Sequence, residues 1–196
     1  MKTSTRIYLP FKRLIGLLGS FIGILICAVL LWWWVLLINL FVTHGHPVFR
    51  SERVGKNGKP FNLIKFRSMS SSVDPNLTSA EREGLDCLTG FGRFLRKTAI
   101  DETLQLFNIF IGQMSFIGPR PLIDVRDDSN TIKLRKENGS IVLRPGLSGY
   151  AQINRNSIKT SEKKAEYDLY YLQHLSFFFD LKIFVISLFG GGRPKK

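Results

Sequence analysis

The order of apolar and polar positions divides the chain into one long apolar segment and a mixed remainder. Residues Leu14 to Val42 contain no charged side chain and one strongly polar side chain, Asn39. A run of this length is long enough to enter a bilayer as a helix. It is too long for a signal peptide, and no small-residue cleavage site follows it. The pattern therefore predicts a membrane-inserted helix.

The length of this segment and the charges beside it bear on how it enters the membrane. Its 29 residues would form roughly 43 Å of helix against roughly 30 Å of hydrocarbon, so a straight span would tilt unusually far. Basic residues normally gather on the cytoplasmic side of a span, yet here they stand on both sides. Both features favour a re-entrant helix with its two ends on the cytoplasmic face. The flanking basic residues are Lys2, Arg6, Lys12, Arg13, Arg50, Arg53, Lys56 and Lys59.

The polar remainder begins with the pattern of a β-hairpin. Val48 to Arg53 and Phe61 to Phe66 have the composition of short strands, and Asn57-Gly58 between them tolerates positive φ. A polar, Ser-rich loop is expected from Ser68 to Glu83.

Helical spacing predicts the next elements. Phe91 to Lys97 is expected to form a short helix. Thr98 has the character of an N-cap, with Asp101 three residues later in capping-box position, and Gly112 is able to end the helix that would follow.

Two further helices are predicted near the end of the sequence. In Ser161 to Leu175, the residues Ala165, Leu169 and Leu172 would share one apolar face. Phe177 to Phe189 is apolar nearly all round but too short to span. It is expected to lie at the membrane interface or to pack against the domain.

These elements predict an α+β protein in three parts. Residues 1–45 would form the membrane anchor with its basic flank, residues 46–189 a small, mostly helical catalytic domain with a β-hairpin and interfacial helices, and residues 190–196 a basic tail. A tail of this kind would contact anionic lipid.

Composition narrows the class of partner. The net charge of +13 and the pI of about 10.0 call for an anionic partner: nucleic acid, a membrane surface or a phosphorylated substrate. The two cysteines, Cys27 and Cys87, are not expected to form a disulfide, which fits a reducing compartment. The three histidines lack the spacing of metal ligands.

The segment from Thr98 to Pro121 contains the candidate chemistry. Asp101 and Glu102 form an adjacent carboxylate pair, and Arg120 follows in a loop stiffened by two prolines. One interpretation is that Asp101 caps a helix and Arg120 is a surface charge. The other is phosphate chemistry, with Asp101 as metal ligand or nucleophile and Arg96 and Arg120 clamping a diphosphate. Spacing alone leaves both interpretations open.

Five blocks in a fixed order give the chain a resemblance to the small, monotopic phosphoglycosyl transferases, a family of bacterial sugar transferases. The resemblance extends from about Lys12 to Phe189. The blocks are Lys65-Phe66-Arg67-Ser68-Met69; Asp101-Glu102 with Gln105-Leu106-Phe107-Asn108; Met114 to Pro121; Arg144 to Asn154; and Glu166 to Tyr171.

This resemblance implies transfer of a sugar-1-phosphate from a UDP-sugar to a polyprenyl phosphate such as undecaprenyl phosphate, with release of UMP. It implies Mg²⁺ as cofactor, membrane lipids as further partners and no nucleic acid, and it leaves room for a homodimer. The expected location is the bacterial inner membrane, with the catalytic domain on its cytoplasmic face. Such a reaction would begin a polysaccharide or glycoconjugate.

The resemblance also implies roles for individual residues. Asp101 would be the nucleophile and, with Glu102, a metal ligand, and Glu102 would otherwise deprotonate the acceptor phosphate. The expected phosphate- and nucleotide-binding residues are Arg67, Arg96, Arg120, Gln152 and Asp168.

Two positions depart from the family pattern. The proline at which the family's re-entrant helix usually breaks is missing from Ala28 to Trp34, and Gln113 replaces a residue that is usually acidic. Two other classes remain beside the enzyme: a membrane-anchored basic module that binds nucleic acid or anionic lipid, and an inactive partner in a polysaccharide assembly complex. Both carboxylates of the pair are present, which favours the enzyme.

Overall fold

The computed structural model describes residues 3–70, 88–124, 127–158 and 160–189. Within these ranges helices and strands are mixed, as predicted. Most of the polar loop expected from Ser68 to Glu83, and the tail 190–196, lie outside the described residues. The helices are α1 (Thr3–Cys27), α2 (Trp33–Val42), α3 (Gly90–Thr98), α4 (Gln105–Phe110), α5 (Asp127–Glu137), α6 (Tyr150–Ile153), α7 (Ser161–Gln173) and α8 (Phe177–Leu188), and the strands are β1 (Val48–Val54), β2 (Pro60–Phe66), β3 (Ser115–Ile117) and β4 (Gly146–Ser148).

The apolar segment forms one long helix. α1 and α2 are joined by a π-helical segment, Ala28–Trp32, rather than by a break. Residues Ile7–Val42, which contain an 18-residue stretch with a mean hydropathy of 2.8, are long and apolar enough to cross a membrane by length and composition. Most of this surface is open, for example at Val29 and Phe41, which are 70% and 74% exposed.

One face of this helix packs against the rest of the protein. Its inward positions recur every three or four residues, except that two adjacent residues of the π segment, Leu31 and Trp32, both pack inward. A π segment adds one residue to a helical turn, so the inward face continues through it. The inward residues include Gly16, Ser20, Ile24, Cys27, Leu31, Trp32, Val35 and Asn39.

Polar contacts fasten both ends of the helix to the same domain. Near its start, Lys12 Nζ lies 2.5 Å from Asp180 Oδ2 on α8, and Tyr8 donates to the same oxygen at 2.7 Å. Near its end, the buried Asn39 amide donates to the carbonyl oxygens of Pro47 and Arg67 at 2.8 and 2.9 Å. The helix is therefore part of the domain's framework and not a flexible tether.

The hairpin prediction is confirmed. β1 and β2 pair antiparallel from Val48↔Phe66 to Val54↔Pro60. Asn57 and Gly58 adopt φ values of 58° and 76° in the turn, the left-handed conformation for which these two residue types are favoured.

A second strand pair was not predicted. β3 and β4 are parallel and only three residues long, with Ser115 opposite Gly146 and Ile117 opposite Ser148. Strands this short give little periodicity, and parallel partners far apart in sequence have no turn signal between them.

The two predicted C-terminal helices are present as α7 and α8. The buried face of α7 is formed by Ala165, Asp168 and Tyr171, whereas Leu169 and Leu172 are only half-buried. The predicted position of the buried face is therefore wrong. The prediction considered only the helical spacing of apolar residues, and the buried Asp168 was not among them. On α8, Ile183 is fully buried while most other side chains are exposed.

Candidate functional site

The carboxylate pair lies in a short 3₁₀ turn, Ile100–Glu102, between α3 and α4. The predicted N-cap at Thr98 is wrong: Thr98 is the last residue of α3, and its hydroxyl lies within hydrogen-bonding distance of the carbonyls of Phe94 and Leu95. Ala99 closes α3 in the left-handed conformation, with φ of 59°. Strain of this kind at a non-glycine residue is common at functional sites.

Three basic side chains surround the pair. Asp101 is only 5% exposed, and burial raises the pKa of its carboxyl although Lys65 and Arg96 oppose the rise. Burial and the neighbouring Asp101 raise the pKa of Glu102, against Arg120, Lys65 and Arg96. The structure thus brings together Asp101, Glu102, Arg96 and Arg120, as the sequence predicted, from α3, the 3₁₀ turn and the loop after β3.

Lys65 belongs to this group and was missing from the predicted site residues. It follows Phe61 and Leu63 at period two on β2, so a basic residue stands in line with buried positions. That alternation was the signal in the sequence that could have identified Lys65 as a site residue. Burial first, and the charge of Arg96 second, lower the pKa of Lys65 to about 8 against the attraction of Asp101 and Glu102.

The loop that carries Arg120 is held from behind. Arg135 on α5 donates through Nη1 to the Arg120 carbonyl at 3.1 Å, and its Nε donates to Asp168 Oδ2 at 2.8 Å. Asp168 is 1% exposed, and burial raises the pKa of its carboxyl although Arg135 opposes the rise. A Cβ at Gly118 would lie 2.4 Å from the Arg144 carbonyl, so the loop also needs glycine to sit against the segment before β4.

The other predicted site residues make their contacts elsewhere. Asp168 is engaged by Arg135 as described, and a role at the substrate stays a prediction. Arg67 donates through Nε to the His46 carbonyl at 3.0 Å. Gln152 donates to the Leu147 carbonyl at 3.3 Å, and its buried Oε1 has no hydrogen-bond partner. Contacts of Arg67 and Gln152 with a nucleotide also stay predictions.

Gln113, the departure inside the motif, has a structural role. Its Oε1 accepts a hydrogen bond of 2.7 Å from the amide of Asn108. Asn108 is fully buried and holds α4 to β2, donating to the Asn62 carbonyl and accepting from the Ile64 amide. A carboxylate could accept the same bond, so the replacement preserves this contact.

The long helix touches the carboxylate turn directly. The Trp32 indole N–H donates to Thr103 Oγ1 at 2.9 Å, and that hydroxyl donates to the Ile100 carbonyl at 2.8 Å. The two bonds bracket Asp101 and Glu102. Trp32 is the one buried member of three consecutive tryptophans, a distinction the sequence does not reveal.

Metal-ligating side chains are few. In the described ranges, no group of three or more His, Cys, Asp or Glu residues is arranged to hold a metal ion. Any ion at the pair would have two protein carboxylates and further oxygens from a ligand, a set that suits Mg²⁺.

The comparisons with known proteins agree on one protein family. The model of the family described as bacterial sugar transferase matches residues 7–190. The uncharacterized sugar transferase EpsL of Bacillus subtilis is 37% identical over 180 residues, covering 90% of this chain and 85% of the relative. A UDP-glucose:undecaprenyl-phosphate glucose-1-phosphate transferase of Klebsiella pneumoniae is 36% identical over 193 residues, covering 94% of this chain and 41% of the relative.

A third relative carries a different sugar in its name. The UDP-N-acetylgalactosamine-undecaprenyl-phosphate N-acetylgalactosaminephosphotransferase of Aeromonas hydrophila is 32% identical over 184 residues, covering 90% of this chain and 42% of the relative. The chain thus spans about two fifths of the Klebsiella and Aeromonas relatives.

Replacing Trp32 tests the link between the helix and the carboxylate turn. Trp32→Phe keeps an aromatic ring beside Phe107 but removes the indole N–H. One net hydrogen bond is worth about 1 kcal/mol, so amide hydrogen exchange of residues 100–103 should become about fivefold faster. Thr103→Val loses this bond and the bond to the Ile100 carbonyl and should accelerate exchange at least as much, whereas Thr103→Ser should not. The control is Trp33→Phe, because Trp33 is exposed and donates within its own helix; equal acceleration there would contradict the link.

Proposed function

Because the chain belongs to the bacterial sugar transferase family, we propose that it transfers a sugar-1-phosphate from a UDP-sugar to a polyprenyl phosphate such as undecaprenyl phosphate, releasing UMP. The observation that carries the proposal is the carboxylate pair, with Asp101 buried and Glu102 half-buried, beside Lys65, Arg96 and Arg120. Donors and acceptors in the names of the relatives support the same reaction. Since those relatives differ in their sugar, the proposal extends only to the UDP-sugar class.

The proposed first step forms a covalent intermediate. A carboxylate oxygen of Asp101 attacks the phosphorus that bears the sugar, the bond from that phosphorus to UMP breaks, and UMP leaves with the electron pair. The phosphate of the polyprenyl phosphate then attacks the same phosphorus and displaces the Asp101 carboxylate. The product is a polyprenyl diphosphate sugar, and the enzyme returns to its starting state.

The basic residues have a clear task in this reaction. The charges of Lys65 and Arg96 favour the ionised form of Asp101, which is the nucleophilic form. Lys65, Arg96 and Arg120 would offset the charge of the diphosphate, and the exposed guanidinium groups of Arg96 and Arg120 suit bidentate binding.

Glu102 suits a proton acceptor. Burial, and then the charge of Asp101, raise the pKa of the Glu102 carboxyl, which makes it a better proton acceptor than an exposed glutamate. It could therefore take a proton from the acceptor phosphate before attack.

Mg²⁺ fits the pair. Burial keeps the pKa values of both carboxyl groups raised, although Lys65 and Arg96 oppose the rise at Asp101 and Arg120, Lys65 and Arg96 oppose it at Glu102, so the charged pair is incompletely compensated by protein charges. Asp101 and Glu102 would hold the ion, which when bound would neutralise charge on the diphosphate.

We also propose that the long helix is re-entrant at the cytoplasmic face of the bacterial inner membrane. A helix crossing the bilayer would carry its two ends to opposite sides, yet Lys12 and Asn39 bind one folded domain. Basic flanks on both sides support the same arrangement.

The two non-catalytic alternatives fit the site less well. A basic lipid- or nucleic-acid-binding module, or an inactive partner, needs no buried carboxylate pair whose pKa values respond to three basic side chains. Two expectations remain predictions: that the protein forms a homodimer, and that the nucleotide contacts Arg67, Gln152 and Asp168.

Asp101→Asn tests the nucleophile. Wild-type protein incubated with a UDP-sugar and Mg²⁺ should gain the mass of one phosphosugar, and adding undecaprenyl phosphate should release UMP repeatedly. The variant should show no adduct and at least a thousandfold slower UMP release, on the order of what loss of a catalytic nucleophile costs. Asp124→Asn, the same change at an exposed carboxylate, should behave as wild type. Full UMP release by Asp101→Asn would refute the assignment.

The pH dependence of the rate tests Lys65. Its ammonium form predominates below its pKa of about 8, so activity should fall above that pH as the charge is lost. Lys65→Arg keeps its charge and should move this alkaline limb upward. The pKa of Lys65 in the folded protein lies below its value of roughly 10.4 in the unfolded chain. Between these two pKa values the unfolded chain binds more protons, so the free energy of unfolding rises with pH. Unfolding caused by the titration of Lys65 would therefore not explain the fall in activity. If the alkaline limb of the pH–rate profile were unchanged in Lys65→Arg, the fall in activity would be due to another group.

Protease protection tests the topology. An epitope tag placed before Lys2 and a second tag after Lys196 should both resist protease added to the outside of cells whose inner membrane is intact. Cleavage of the first tag alone would show that the helix crosses the membrane. A known periplasmic tag on another protein provides the positive control for access.

A further inference from the structure

A cavity of about 290 Å³ opens between the start of the long helix, the hairpin turn and the segment before β4. Four basic residues line it: Lys12, Arg13, Lys56 and Arg144. None of the described residues that line it is acidic. A concave site with this charge pattern suits an anion.

The cavity is separate from the carboxylate pair. Its helix residues end at Gly16, whereas Trp32 contacts the turn that carries the pair. Sixteen residues of helix separate these two positions, about 24 Å along the helix. Within the described ranges, none of the residues that line the cavity belongs to the carboxylate pair or is one of its three basic neighbours.

Two guanidinium groups crowd one wall. Arg13 donates through Nη1 and Nη2 to the carbonyls of Ile109 and Phe110, at 2.5 and 2.6 Å, and Arg144 donates through Nε to the Gly112 carbonyl at 2.8 Å. Burial, and then the charge of Arg13, lower the pKa of Arg144. These hydrogen bonds hold both guanidinium groups in place although their positive charges repel each other. A bound anion would reduce this repulsion.

The remaining two basic residues differ in availability. Lys12 is paired with Asp180, so its charge is largely compensated. Lys56 is exposed in the hairpin turn at the rim of the cavity. A ligand would therefore gain most from Arg13, Arg144 and Lys56.

Apolar side chains beside the cavity indicate what carries the anion. Phe11, Leu14, Ile15 and Leu18 occupy the same turns of helix as Lys12, Arg13 and Gly16, and are between 46% and 61% exposed. A phosphate with attached acyl chains matches this neighbourhood, because its head would meet the basic wall while its chains follow the open face of the helix.

We propose that this cavity binds the phosphodiester headgroup of an anionic phospholipid. The lipid is a bound component that fixes how the start of the helix sits in the membrane, and it is not consumed. The proposal does not depend on the reaction at Asp101.

Native mass spectrometry of the full chain in neutral detergent tests the site. Dioleoyl phosphatidylglycerol should be retained as a one-to-one complex. Lys56→Gln should weaken it about fivefold, the effect of one lysine near a lipid phosphate. Lys59→Gln is the matched control, because Lys59 is also an exposed lysine at this turn but does not line the cavity, and it should bind as wild type. Equal losses in both variants would overturn the proposal, since general surface charge would then account for retention.

Competitors identify the source of the phosphate. Inorganic phosphate and glycerol phosphate at the same concentration should not displace the lipid, and dioleoyl phosphatidylcholine should bind more weakly. Displacement by free phosphate would make this a soluble-anion site, and displacement by polyprenyl phosphate at lower concentration would make it an acceptor site. Either result would sink the phospholipid assignment. Circular dichroism of both lysine variants should match wild type.

Discussion

The packing of one long apolar helix along the domain is the constraint on which the rest of the structure depends. Each of the three core clusters of the described residues contains or contacts residues of this helix, among them Trp32 and Val35 in the first and Ile24 and Cys27 at the edge of the first and second. In the third, Tyr8 and Leu9 pack beside Tyr171 and Ile183. Removing the helix would open all three clusters to solvent, so what the sequence presents as an anchor also completes the fold.

Burial by this helix and its neighbours sets the chemistry of the carboxylate turn. The same exclusion of water raises the pKa of Asp101 and Glu102 and lowers that of Lys65, so each group is poorly stable alone as an ion. Their mutual attraction offsets part of that cost. A highly charged ligand entering such a site meets groups already held in position, and little reorganisation is needed.

Much of this arrangement could be predicted from the sequence, for reasons that are local. The hairpin followed from Asn57-Gly58, the apolar helix from its composition, and the grouping of Asp101 with Arg120 from the ordered blocks. What could not be predicted depends on contacts between distant segments. Lys65 joins the site through strand pairing, Asp168 is engaged by Arg135 from another helix, and Trp32 reaches Thr103 from a distant part of the sequence. The N-cap at Thr98 failed because tertiary packing ended one helix where a local rule would have started another.

The two fastenings of the helix, at Lys12 and at Asn39, also limit how the protein could adapt to bilayers of different thickness. A free transmembrane helix accommodates a thicker or thinner bilayer by changing its tilt. A helix clamped at both ends to one rigid body has no such freedom, so mismatch would have to be absorbed by the whole domain rising, sinking or deforming the lipid around it. The height of the carboxylate turn above the hydrocarbon would then vary with lipid composition, and access of a lipid-borne phosphate to it would vary in the same way.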